Sequence, residues 1–212
     1  MFRPFYSLLL LLAFFPPPAH AAPRVIDDFE TGLAPGWTVK EFKGLTTYAV
    51  VADGGGKVLR AESRGTASGL VYAIDYAPAD YPVLAWRWKV ANIIPQGDET
   101  VKSGDDYAAR VYVVFPHWLF FKTRSINYIW ANKLPKEAFL PNAFTGNAVM
   151  LAVESGPGRV GEWIGERRNI VDDYRRFFGE EPPAVGAIAI MTDTDQTGST
   201  ATAWFDDIRI EQ

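Results

Sequence analysis

An all-β chain, folded as an antiparallel two-sheet jelly-roll sandwich with one short helix, is what the sequence predicts. Three observations lead there. Short segments with a period of two recur along the chain, set apart by Gly-, Pro- and Asp-rich turns. No alternation of strands and helices appears, and no long-period repeat. The two ends read as matching halves: Val25 to Leu33 and Thr202 to Ile210 are both strand-like and both carry paired aspartates. The first and last strands are therefore expected to meet.

Residues 1–21 read as a targeting segment, not as part of the fold. Arg3 supplies a positive start, Leu8 to Phe15 is an unbroken apolar run, and Ala19-His20-Ala21 has the small-x-small pattern of a cleavage site. The run is shorter than the roughly 20 residues a membrane span needs, and Pro16 to Pro18 end any helix there. Cleavage is expected after Ala21, leaving residues 22–212 as a single periplasmic β-sandwich domain with no transmembrane segment. The chain has no cysteine, so its stability after export would not rest on disulfides.

Strands are expected at Trp37 to Phe42, Thr46 to Ala52 and Lys57 to Glu62, with Asp53-Gly54-Gly55-Gly56 as the hairpin turn between the last two. Gly69 to Asp75 follows. Val83 to Val90 alternates cleanly: Leu84, Trp86, Trp88 and Val90 face one way, Arg87 and Lys89 the other. After the polar stretch Asn92 to Asp105 comes Tyr107 to Phe115, with Tyr107, Ala109, Val111, Val113 and Phe115 on one face. Asp106, Ala108, Arg110, Tyr112 and Val114 share the other. Ser125 to Ala131 is a further strand, Asn132 to Gly146 a surface loop, and Val149 to Glu154 a strand. Ile170 to Phe178 is the one helix, with Gly179 as its C-cap and Pro182-Pro183 beyond. Ala184 to Thr192 and Thr202 to Ile210 close the fold.

Composition excludes several functions. The net charge is −4, and one unit more negative without Arg3, with no basic block; nucleic acid is not an expected partner. His117 is the only histidine after residue 21 and there is no cysteine. A multi-His or Cys zinc site and a Cys nucleophile are ruled out. No G-x-S-x-G elbow accompanies His117, which reads as a loop residue beside Trp118. Gly54 to Gly56 lacks the Lys-Ser/Thr ending of a phosphate loop. The many aromatics (seven Trp, nine Tyr, fourteen Phe) suit a sandwich core, and the same flat faces suit stacking on sugars.

Three acidic clusters carry the remaining chemistry. If the chain ends are neighbours, Asp28 and Glu30 converge with Asp206, and such a set of oxygens suits a structural calcium. Asp193, Asp195 and Gly198 have the opening of a calcium loop, but Trp204 stands where its closing Glu belongs; that segment reads as a solvated loop. Asp105-Asp106 leads into the strand of Arg110 and Tyr112. Adjacent strands are expected to gather Arg87, Arg110, Tyr112 and Asn127 onto one sheet face, flanked by Asp106, Asp193 and Asp195. Such a face binds a sugar or carboxylate through arginine forks and aromatic contacts. The plainer alternative is a buried salt bridge from Arg110 to Asp106 or Asp193. Asp172 and Asp173 are accounted for by the positive end of the helix, and Glu166 and Arg168 are candidates for the rim of a cleft.

Four segments together, Gly104 to Phe115, Asn127 to Ala131, Arg168 to Tyr174 and Ile190 to Gly198, resemble the bacterial exported family called domain of unknown function 3047, over about Val25 to Glu211. The resemblance implies the fold but no established activity. More remotely, the Phe29-Glu30 opening and the Phe205-Asp206-Asp207-Ile208 closing look like galactose-binding-like jelly rolls and carbohydrate-binding modules. That likeness implies a structural calcium between the chain ends. Three readings follow. The first is a binding module for a glycan or other polar ligand. The second is an envelope polysaccharide enzyme on the same face, with Asp106 and Asp193 as the acid/base pair. The third is a structural envelope protein that meets a protein partner through a sheet edge or through the Trp118-Leu119-Phe120-Phe121 loop.

Overall fold

In the computed structural model, which describes residues 22–212, two sheets pack face to face; the expected targeting segment lies outside the described residues. One sheet holds β1 (Arg24–Asp27), β3 (Thr47–Asp53), β4 (Gly56–Arg64), β6 (Val83–Val90), β11 (Ile164–Asn169) and β13 (Thr200–Glu211). Its order is β11-β6-β13-β4-β3, with β1 pairing to the end of β13. The other holds β2 (Trp37–Lys43), β5 (Ala67–Tyr76), β7 (Tyr107–Phe115), β8 (Arg124–Ala131), β9 (Phe139–Asn142), β10 (Thr145–Ser155) and β12 (Val185–Asp193), in the order β2-β5-β12-β7-β8-β10-β9. The first and last strands meet as expected: Arg24 is opposite Ile210 and Asp27 opposite Ile208, antiparallel.

Period-two patterning builds the core. Leu84, Trp86, Trp88 and Val90 of β6 point inward against Val111, Val113 and Phe115 of β7 and Ile126, Tyr128 and Trp130 of β8. Aromatic pairs join the two sheets: Trp86 stacks on Tyr128 with ring centroids 5.2 Å apart, and Trp88 tilts against Trp130 at 6.0 Å. The helix α1 (Ile170–Phe178) starts on Asn169, whose Oδ1 accepts from the Val171 and Asp172 N–H groups, and ends at Gly179 with φ 71°. Asp173 does more than answer the helix dipole. It is buried, takes both forks of Arg168, and accepts the Tyr128 hydroxyl at 2.9 Å.

The chain departs from the expected pattern at three places. β8 and β10 run parallel, which demands a crossover, and residues 132–144 provide it. That segment, expected as a surface loop, contains β9. Its Leu134 and Leu140 pack on Tyr107, Ile129, Ala131, Met150 and Ala152, a second small apolar cluster on the outer side of the seven-stranded sheet. β9 is four residues long and contains Pro141, so it shows no alternation to read. β11 is likewise an addition, pairing with β6 along its whole length. Finally, a register shift between Met191 and Asp193 opposite β7 turns Tyr107 to the outer face, where its ring lies 4.1 Å from the Arg110 guanidinium. Strict alternation had put it inside; a bulge defeats that count.

Candidate functional site

The outer face of the seven-stranded sheet is laid out in transverse rows by strand register. One row runs Lys40, Gly69, Met191, Arg110, Ile129. The next runs Thr38, Val71, Ala189, Tyr112, Asn127, Met150. A third runs Ala73, Ala187, Val114, Ser125, Ala148. Over these rows lies a cavity of about 530 Å³. Arg110, Tyr112, Asn127 and Asp193 line it together with Asp195 and Gln196 of the β12–β13 loop. Its sides are raised by Phe42 and Lys43 of β2 and by Asn142, Phe144 and Thr145 of the β9–β10 turn. Phe42 and Phe144, 61% and 53% exposed, both line it.

Within this site Arg110 is committed. Its Nε donates to Asp193 Oδ1 at 2.8 Å, Nη2 donates to Asp193 Oδ2 and, at 3.1 Å, to the Asp105 carbonyl. Arg110 and Asp193 are both buried. Burial pushes the Asp193 carboxyl upward from its usual range, against the pull of Arg110. Burial works against the Arg110 charge too, but Asp193, Tyr112, Asp105 and Tyr107 together outweigh it and the guanidinium is held well above its ordinary value. The salt bridge named as the plainer alternative is present, and it forms the floor of the cavity. Tyr112 is freer. Its hydroxyl donates to the Met191 sulfur at 3.2 Å, a weak acceptor, and burial raises its pKa. Asn127 Nδ2 donates to Ser125 Oγ at 3.1 Å. Asn142 Nδ2 reaches both oxygens of Asp105 at 3.0 Å, and Asp105 also accepts the Tyr107 hydroxyl at 3.0 Å.

Carboxylate oxygens of Asp106, Asp193 and Asp195 lie within 4.8 Å of one another. Each already has protein partners. Asp106 accepts the Gln196 N–H at 3.1 Å and the Thr197 N–H at 2.6 Å, so it anchors the β12–β13 loop. Asp195 sits 3.7 Å from Lys43 Nζ. Asp106 and Asp193 are buried and engaged, and of the two only Asp193 lines the cavity.

Arg87 is not on this face. β6 lies in the six-stranded sheet, because the Asn92 to Asp105 segment carries the chain across the sandwich rather than back along the same sheet. There Arg87 Nε bonds Asp206 Oδ2 at 2.9 Å and lies 3.0 Å from Asp207 Oδ2. The residues named for calcium have separate partners: Asp206 holds Arg87, Glu30 Oε1 accepts the Lys57 N–H at 3.1 Å, and Asp28 Oδ1 accepts the Glu30 N–H at 3.2 Å. The organising carboxylate at that end is Asp27, which accepts from Phe29 N, Ala34 N and Trp37 Nε1 at 2.8–2.9 Å. Glu166, on the edge strand β11, lines a separate cavity of about 270 Å³ with Arg87, Arg167, Asp207 and Arg209, whereas Arg168 on the same strand is held by Asp173. Phe42, Phe144 and Asn142 were missed. Phe144 and Asn142 sit in a segment without periodicity, and Phe42 counted only as one residue of an alternating strand.

The β7–β8 connection carries Trp118 and Phe120, each 85% exposed. His117 stacks beside Trp118 with centroids 5.8 Å apart, as the sequence indicated.

A two-sheet sandwich with a lined cavity on one outer sheet face defines the class. The chain belongs to the family described as protein of unknown function (DUF3047), whose model matches residues 35–209. No curated protein matches it in sequence. Among solved structures it is similar to the family 11 carbohydrate-binding module of the cellulosomal cellulase Lic26A-Cel5E of Clostridium thermocellum, with TM-score 0.51 and 11% identity, over 91% of this chain and 96% of that one. It also matches the family 30 carbohydrate-binding module of cellulosomal cellulase Cel9D-Cel44B of Clostridium thermocellum, with TM-score 0.46 and 12% identity, over 90% and 93%. At these identities the likeness is one of fold.

Proposed function

We propose that this protein is an exported, periplasmic glycan-binding module whose site is the cavity on the outer face of the seven-stranded sheet. One observation carries the reading: a polar floor of Arg110, Asp193, Asn127 and Tyr112 is flanked by two exposed phenylalanines, Phe42 and Phe144. Sugars need this combination, hydroxyl partners below and flat apolar faces beside. The fold shared with a family 11 carbohydrate-binding module supports the same reading. Binding fits better than hydrolysis because Asp106 and Asp193 spend their oxygens on internal partners.

The test is a glycan array followed by calorimetry on residues 22–212. A bound glycan is expected, weakened about tenfold when Phe42 and Phe144 are both replaced by alanine and severalfold by Tyr112→Phe. Failure of the wild-type protein to bind any glycan on the array would overturn the reading. Trp118 and Phe120 favour a second reading, a protein partner at the hairpin tip; capture of one defined envelope protein, lost on Trp118→Ser with Phe120→Ser, is its test.

A further inference from the structure

We propose that the ligand of this groove is amphipathic: a saccharide that carries an apolar substituent, such as an alkyl or acyl group. The inference rests on the glycan-binding reading and extends it to the chemical class of ligand.

Beside the polar cavity lies a second one of about 190 Å³, and Phe42, Tyr112 and Met191 line both. The two are therefore neighbouring compartments of one groove. Their linings differ sharply. The second compartment is lined by Val71, Val114, Ala187 and Ala189, the central members of the transverse rows. Small residues lie along its floor, at Gly69, Ala187 and Ala189, with larger ones beside them. Among its lining residues only Tyr112 and Lys40 carry polar side-chain groups. The Tyr112 hydroxyl is turned to the Met191 sulfur, and Lys40 Nζ lies over the Phe42 ring at 5.3 Å. The backbone beneath is consumed by the sheet ladder. A sugar ring placed there would strip water from its hydroxyls and find almost no partner for them. A hydrocarbon substituent would lose nothing and gain contact with every wall. A ligand that fills both compartments thus presents hydroxyls on one side of Tyr112 and Met191 and methylenes on the other.

The test uses n-alkyl β-D-glucosides and n-alkyl β-D-maltosides from methyl to octyl, below their micelle concentrations, with n-hexanol as the control without a head group. Affinity is measured by calorimetry. The expected result is a gain of about fourfold per methylene over the first few methylenes, then a plateau when the trough is full. Ala189→Phe, which fills the trough, should collapse that slope; Val114→Thr, near-isosteric and safer for folding, should lessen it. Equal affinity for methyl and octyl glycosides would overturn the proposal, and the glycan-binding reading would stand if the array glycans still bound. Hexanol binding as tightly as hexyl glucoside would overturn the two-compartment ligand in favour of a plain apolar site. No binding in any series, with glycans bound on the array, would remove the amphipathic ligand alone; no binding in either experiment would remove both readings.

Discussion

Arg110 and Asp193, 83 residues apart in sequence, close a two-pronged ion pair across β7 and β12 on the floor of the groove. Both are buried, so the pair cannot be dissected one partner at a time. Arg110→Ala should destabilise the protein by about 3–5 kcal/mol, because it strands a buried carboxylate. Replacing both, with Arg110→Met and Asp193→Leu, should recover most of that loss. Urea denaturation of the three proteins checks it; a double variant no more stable than Arg110→Ala would be inconsistent with this account. Ligand loss in Arg110→Ala alone says little about recognition, and Tyr112 is the cleaner probe.

Asp27 holds the turn that leads from β1 into β2. Its two oxygens satisfy three donors, including the Trp37 indole. Asp27→Ala should cost about 2–4 kcal/mol by orphaning donors that folding keeps from water. Asp27→Asn, which keeps one acceptor, should cost less. Thermal unfolding monitored by tryptophan fluorescence ranks the two; equal costs would contradict the hydrogen-bond account.

The helix is pinned to the sandwich by Asp173, which joins Arg168 to Tyr128. Tyr128→Phe should cost about 1 kcal/mol, the net value of one hydrogen bond. Asp173→Ala should cost several times more, since Arg168 then loses its buried counter-charge. Denaturant midpoints measure both, and a Tyr128→Phe effect as large as that of Asp173→Ala would show that packing, not the bond, dominates.

Glu166 gives a pH dependence of fixed sign. Burial pushes its carboxyl up to about 7, with Lys136 opposing and Glu154 reinforcing the shift, and its Oε1 has no hydrogen-bond partner among the described residues. The unfolded chain holds this proton less tightly than the folded one. The resulting stability is complete below the ordinary glutamate pKa and is lost as pH rises through about 7. Glu166→Gln should therefore lose less stability than the parent between pH 5 and pH 8. Parallel stability curves for the two proteins would exclude the shift.

Strand positions and inward faces were legible where alternation runs without a bulge: Trp86 and Trp88 against Arg87, or Val111 and Val113 against Arg110, but not at Tyr107, where the register shifts. Helix limits were legible because Gly179 is a local signal. Sheet membership is not local. Nothing in Val83 to Val90 says which sheet it joins, so Arg87 was assigned to the face of Arg110 when it belongs to the opposite side of the molecule. The aromatic flank was hidden for a related reason. Phe144 lies in a crossover without periodicity, and only the parallel pairing of β8 with β10 brings it to the groove.

The position of β13 has a consequence for how the chain comes to be folded. The last strand is not an edge: it lies between β6 and β4 and also receives β1. The six-stranded sheet therefore has no centre until β13 is in place, and its two halves cannot be joined before then. Each pairing closes a long loop, the slow kind of contact. β4 and β6 thus each carry an unpaired edge until β13 enters between them.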